Sequence, residues 1–168
     1  MLAALFTALT AVGAFISVPL PFTPVPVTLA TLAAMLAGAL LGPKYGSLSQ
    51  IAYLLLGAAG APVFHNFTGG LGILTGPTGG FLIGYIAIAF TAGLVSYKNS
   101  GSRPLTIAAL TCGTLVCYII GTAWFMISTG TSLSAAFISC IVPFIPGDIL
   151  KIIAAMLLTE RLKVVIDR

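Results

Sequence analysis

Charge is what this chain has least of. Seven of its 168 residues are Lys or Arg and three are Asp or Glu, 6% in all, where a soluble domain carries about 25%. So few charges cannot clothe a soluble surface. A composition that is 59% hydrophobic, with mean hydropathy +1.17, suits a bilayer instead. The net charge of +4 rests on scattered residues and is no nucleic-acid footprint.

Reactive groups are equally scarce. His65 is the sole histidine and has no neighbouring Cys, Asp or Glu, which argues against a metal site. Cys112, Cys117 and Cys140 lie in apolar runs and form no C-x-x-C pair, so they read as small core residues. No G-x-x-x-x-G-K-[ST] sequence occurs, so the chain supplies no ATPase of that kind. A membrane enzyme would need a clustered nucleophile and base, and none stands out. A channel would need more polar lining than one charged pair provides.

What is present is a series of apolar runs. Six read as spanning helices: Met1 to Val18, Val27 to Leu41, Ser47 to Ala59, Phe81 to Tyr97, Leu105 to Ile127, and Gly147 to Leu162. A short helix is expected between Ser132 and Ile141. The first run lacks a basic n-region and reads as a retained helix rather than a signal peptide. "PLPFTPVP", with four prolines, cannot continue it. The fold class is therefore an all-α integral membrane protein, one domain over residues 1–168. With the N-terminus inside, Lys44, Lys98, Arg103, Arg161, Lys163 and Arg168 all fall in inner loops or the tail. The outer connections hold no Lys or Arg. The positive-inside rule thus predicts N-in, C-in.

The seventh basic residue is Lys151, in "PFIPGDILK", three residues after Asp148. The spacing puts both on one helix face, in the first turn of the last helix. Ionisable groups within spans are expensive and are candidate functional sites. A carboxylate at a helix start also caps free N–H groups, and a lysine can merely neutralise it or snorkel. Both roles are compatible. A donor and an acceptor on a dry wall suit a small polar solute in an apolar, aromatic cavity. The uncharged connection "GAPVFHNFTGGLGILTGPTGG" is too long for a simple turn and reads as a lid. Its "GPTGG" is expected to turn tightly into the fourth helix, with Thr78 lining a site. In the first helix, Ala4 and Ala8 form a small-xxx-small pair, with Ala3, Thr7 and Ala11 beside it. Such a stripe serves internal packing or docking to another membrane subunit.

The ordered series "PVPVTL", "LGPKYG", "YLLLGAAGAPVF", "GPTGGFLIGY", "YIIGTAWF" and "PFIPGDILK" resembles the BioY family across essentially the whole chain. These are biotin-binding S-components of energy-coupling-factor (ECF) transporters. The resemblance implies high-affinity biotin capture at the outer face of a bacterial cytoplasmic membrane, with no cofactor. It implies as partners a transmembrane coupling subunit and two cytoplasmic ATPases. It implies that Ala4 and Ala8 dock the coupling subunit, and that Asp148 and Lys151 bind biotin's polar groups. Asp148 suits a ureido N–H. Lys151 suits the ureido carbonyl or the ligand carboxylate. Asn66 can pair with the ureido in both senses. Tyr118 and Trp124 are the aromatic candidates for stacking, Trp124 doubling as an interfacial anchor. Two positions depart from the pattern: Ala30 stands where Gln is expected, and no outer-facing Arg meets the carboxylate. An S-component for another vitamin is the nearest alternative.

Overall fold

The computed structural model describes residues 1–96 and 102–166. Lys98 and Arg168, two of the basic residues used for the orientation, lie outside the described residues. The chain runs α1 (Leu2–Phe15), β1 (Ser17–Leu20), β2 (Thr23–Thr28), α2 (Ala30–Ala58), α3 (Leu71–Thr75), α4 (Gly79–Ser96), α5 (Arg103–Thr129), α6 (Leu133–Cys140) and α7 (Ile145–Ile166). A single 3₁₀ turn covers His65–Phe67.

Prolines shape the first connection. α1 stops before them, and the segment becomes an antiparallel hairpin pairing Ser17 with Thr28 and Val18 with Val27. The register shifts between Val18 and Leu20, where Pro19 has no N–H to give the ladder. The expectation of a non-helical segment is met, but its strands were not foreseen.

α2 combines the second and third expected helices. Gly42 breaks it with φ of 80° and ψ of 176°, and Pro43 follows. Cα of Gly46 then lies so close to Ala37 and Gly38 that a Cβ there would meet Ala37 O at 2.8 Å. A continuous helix would separate residues nine apart by about 13 Å, so α2 doubles back as two arms. Glycine makes the next layer possible. A Cβ on Gly38 would sit 2.2 Å from Ala89 O, and one on Gly93 would sit 2.4 Å from Pro43 N. α4 therefore packs backbone to backbone on α2, and α5 covers its other side.

α1 is fastened to the second arm of α2 by polar groups. Thr7 donates to Ser49 O at 2.9 Å, Gln50 Nε2 donates to Thr10 Oγ1 at 3.1 Å, and Gln50 also reaches Ser49 Oγ at 3.0 Å. All four residues are buried.

α4 and α5 are each long and apolar enough to cross a membrane, and α6 with α7, bent by 50°, qualify as a pair. α1 has 14 residues and is shorter. One end of the bundle gathers polar groups. Arg103 pairs with Glu160 at 2.8 Å, Lys163 donates to Ser96 O at 2.7 Å, and the Pro43 turn beside Lys44 packs on Gly93. The opposite end carries the hairpin and the connection before α4.

Candidate functional site

Asp148 and Lys151 lie on α7, whose helix begins at Ile145, so Lys151 sits in its second turn rather than its first. Both side chains are only 7% exposed. Lys151 Nζ donates to Asp148 Oδ1 at 2.9 Å and to Thr31 Oγ1 at 3.0 Å. The hydroxyl of Tyr118, on α5, donates to Asp148 Oδ2. Asp148 does not cap its helix. Its own N–H donates to Phe144 O at 2.9 Å, and its carboxylate is turned to Lys151 and Tyr118. The helix-capping reading is thereby corrected.

Three elements supply this cluster for local reasons. Spacing three residues apart aligns Asp148 with Lys151. Gly84 on α4 lets α5 approach, since a Cβ there would meet Cys117 Sγ at 2.5 Å. That approach brings Tyr118 to the centre. Thr31 arrives from the first turn of α2, where β2 ends.

The cluster borders a small cavity of about 30 Å³, also lined by Val25, Pro26 and Thr28 of the hairpin and by Tyr85. Such a space holds about one water. Thr28 Oγ1 lies 3.4 Å from the Tyr85 hydroxyl. A second, apolar groove of about 810 Å³ runs between α5, α6 and α7. Tyr118 and Asp148 line both spaces, whereas Lys151 and Thr31 line only the small one. The four polar side chains of the cluster thus meet at the small cavity, although the groove is far larger.

Of the remaining expected residues, Asn66 and Thr78 lie in the connection before α4 and Trp124 lies on α5. Phe64 is fully buried over Gly57, edge-on to Tyr53 at 5.4 Å, and plugs this loop into the bundle. Asn66 is exposed at the loop tip with φ of 54°, and it lines neither cavity. His65 beside it is half-buried, which lowers its pKa below the usual range. Trp124 is not stacked in a cavity. Its indole N–H donates to Gly76 O at 3.0 Å, pinning the loop to α5. Thr78 accepts from Phe81 N and Leu82 N through its carbonyl and starts α4, as a tight turn requires. Tyr118, chosen for its ring, presents its hydroxyl to Asp148. Sequence reading missed Thr31, although Ala30 beside it had drawn notice. Ala30 is fully buried and packs at Gly13 of α1. Its neighbour carries the polar atom.

On α1, Ala4 and Ala8 face outward, while Thr7 and Ala11 are buried. The small residues thus form two faces, one packed in the bundle and one exposed.

An apolar helical bundle with a buried donor–acceptor cluster under looped lids defines a membrane-embedded solute-binding protein. The comparisons sharpen that class: the BioY family model matches residues 1–168, and the chain belongs to the BioY family. It is 43% identical to a probable biotin transporter BioY of Pyrococcus horikoshii, covering 96% of this chain and 94% of that one. It is 42% identical to the biotin transporter BioY of Thermotoga maritima, covering 96% and 93%. A crystal structure of the S-component for biotin from an ECF-type ABC transporter superposes with a TM-score of 0.89 at 33% identity, covering 96% of this chain and 88% of that one.

Proposed function

We propose that this chain is the biotin-capturing, substrate-specific subunit of an ECF-type transporter. The observation that carries the reading is the buried Asp148–Lys151 pair, cross-braced by Tyr118 and Thr31. Its relatives' names supply the ligand. The family is one of transporter components, so the chain is not an enzyme.

In this reading α1, the two arms of α2, α4, α5 and α7 form six passes, with both termini inside. The gathering of Lys44, Arg103 and Lys163 at one end supports that orientation. The membrane is the bacterial cytoplasmic membrane. Biotin reaches the opposite end, where the hairpin and the α3 connection are the lids. Asp148 accepts a ureido N–H and Lys151 serves a ligand acceptor. Asn66 and Thr78 act within the lid, and Trp124 holds it from α5. A cavity of about 30 Å³ is too small for the bicyclic head, so capture requires Val25, Pro26 and Thr28 to move outward and return. The loaded subunit then meets the coupling subunit through Ala4 and Ala8, and ATP is hydrolysed by separate ATPase subunits.

Calorimetric titration of biotin into the detergent-solubilised chain tests this reading, with thiamine and riboflavin as controls. Tight one-to-one binding of biotin alone is expected. Asp148→Asn is expected to weaken it at least about tenfold, roughly 1.4 kcal/mol. Binding of another vitamin in biotin's place would overturn the assignment.

A further inference from the structure

Resting on the reading above, we infer that Thr31 is a direct ligand contact whose hydroxyl, together with Lys151, holds the ureido carbonyl of biotin.

The argument is an accounting of hydrogen-bonding capacity. Lys151 has three N–H donors. One goes to Asp148 and one to Thr31, so one remains. Thr31 Oγ1 receives the Lys151 proton, and its own O–H finds no acceptor among the described residues. The Asp148 carboxylate has about four lone-pair sites and uses one on each oxygen. Tyr118 donates its proton to Asp148, which leaves its oxygen able to accept. The cavity wall therefore has a surplus of two donors, on Thr31 and Lys151, and of acceptors on Asp148 and Tyr118. All four residues line one space.

A cyclic urea has the complementary set: two N–H donors flanking a carbonyl with two lone pairs. Placing the carbonyl between Thr31 and Lys151 turns the N–H groups toward Asp148 and Tyr118. A ligand carboxylate on Lys151 would instead leave the Thr31 donor and the Asp148 acceptors unanswered in a buried site, which is costly. Thr31 also decides between ligands. A solute lacking an acceptor at the carbonyl position meets a buried donor on Lys151 and a half-buried one on Thr31 with nothing to receive them.

The test compares wild type, Thr31→Val and Thr31→Ser by calorimetry. The ligands are biotin and its analogue with sulfur in place of the ureido oxygen, a poorer acceptor. Thr31→Val is expected to weaken biotin about three- to tenfold, the loss of one neutral hydrogen bond. It should weaken the sulfur analogue less, so the preference between the two ligands narrows. Thr31→Ser is expected to restore both values. Unligated melting temperatures show whether each variant folds. Equal biotin affinity in wild type and Thr31→Val would overturn the contact. Equal weakening of both ligands would overturn it too, reducing Thr31 to a brace for Lys151. Failure of the folded wild type to bind biotin would instead remove the functional reading beneath it. If Thr31→Val does not fold, the Thr31→Ser titration still decides, because a Thr31→Ser variant that folds like wild type but loses biotin selectivity contradicts a hydroxyl role.

Discussion

Phe67, at the tip of the connection before α4, stacks on Phe15 at the end of α1 with ring centroids 4.3 Å apart. Phe67 also holds φ of 55°, next to Asn66 at 54°. The left-handed region costs a side chain such as phenylalanine about 1–2 kcal/mol. The stack, worth about 0.5–1.5 kcal/mol beyond burial, helps offset that strain and ties the lid to α1. Phe67→Ala is expected to speed biotin release several-fold, and Phe15→Ala to do the same. The double variant should add little to either. Stopped-flow release rates check this, and unchanged rates would mean that the stack only packs.

Tyr118→Phe removes the hydroxyl that donates to Asp148 and keeps the ring. Hydrogen bonds to charged groups contribute about 1.5–3 kcal/mol, so biotin affinity is expected to fall about tenfold or more. An unaltered dissociation constant would assign the tyrosine to folding alone. Asp148 would then meet its ligand unaided.

Ala4 and Ala8 face away from the bundle, so bulky replacements there cost the fold little. Ala4→Trp with Ala8→Trp is expected to leave biotin binding by the isolated chain within about twofold, within roughly 0.5 kcal/mol. Uptake by cells expressing the whole transporter should be lost. Normal uptake by this variant would eliminate α1 as the docking helix.

Gly38→Ala places a methyl 2.2 Å from the backbone oxygen of Ala89, where no side chain can yield. Overpacking of this kind costs about 1–3 kcal/mol. The melting temperature in detergent is expected to drop clearly, with Ala89→Gly on the facing helix failing to restore it because the clash is with backbone. A melting curve that matches wild type would show that α2 and α4 are free to separate.

Much of this arrangement was legible in the chain. Apolar runs between Pro and Gly clusters located the helices to within a few residues. The two charges in "PFIPGDILK" were conspicuous for lack of any others nearby, and their spacing fixed a shared face. The partners of that pair were less visible. Tyr118 comes from a helix 30 residues away and Thr31 from one 120 residues away. Only long-range packing joins them, and a threonine in an apolar run carries no local mark of its use. Periodicity is equally blind to a hairpin made largely of proline and valine. Asn66 was chosen for its amide and Trp124 for its ring. The fold places one at an exposed loop tip and uses the other as a pin.

The threonine, serine and glutamine seam between α1 and α2 has a mechanical meaning. In hydrocarbon no water competes for these groups, so rolling α1 about its axis would strand several of them at once. The helix is keyed to its neighbour like a shaft in a slot. Ala4 and Ala8 are thereby held at one fixed angle on the outer face of the bundle, a rigid surface rather than an adjustable one.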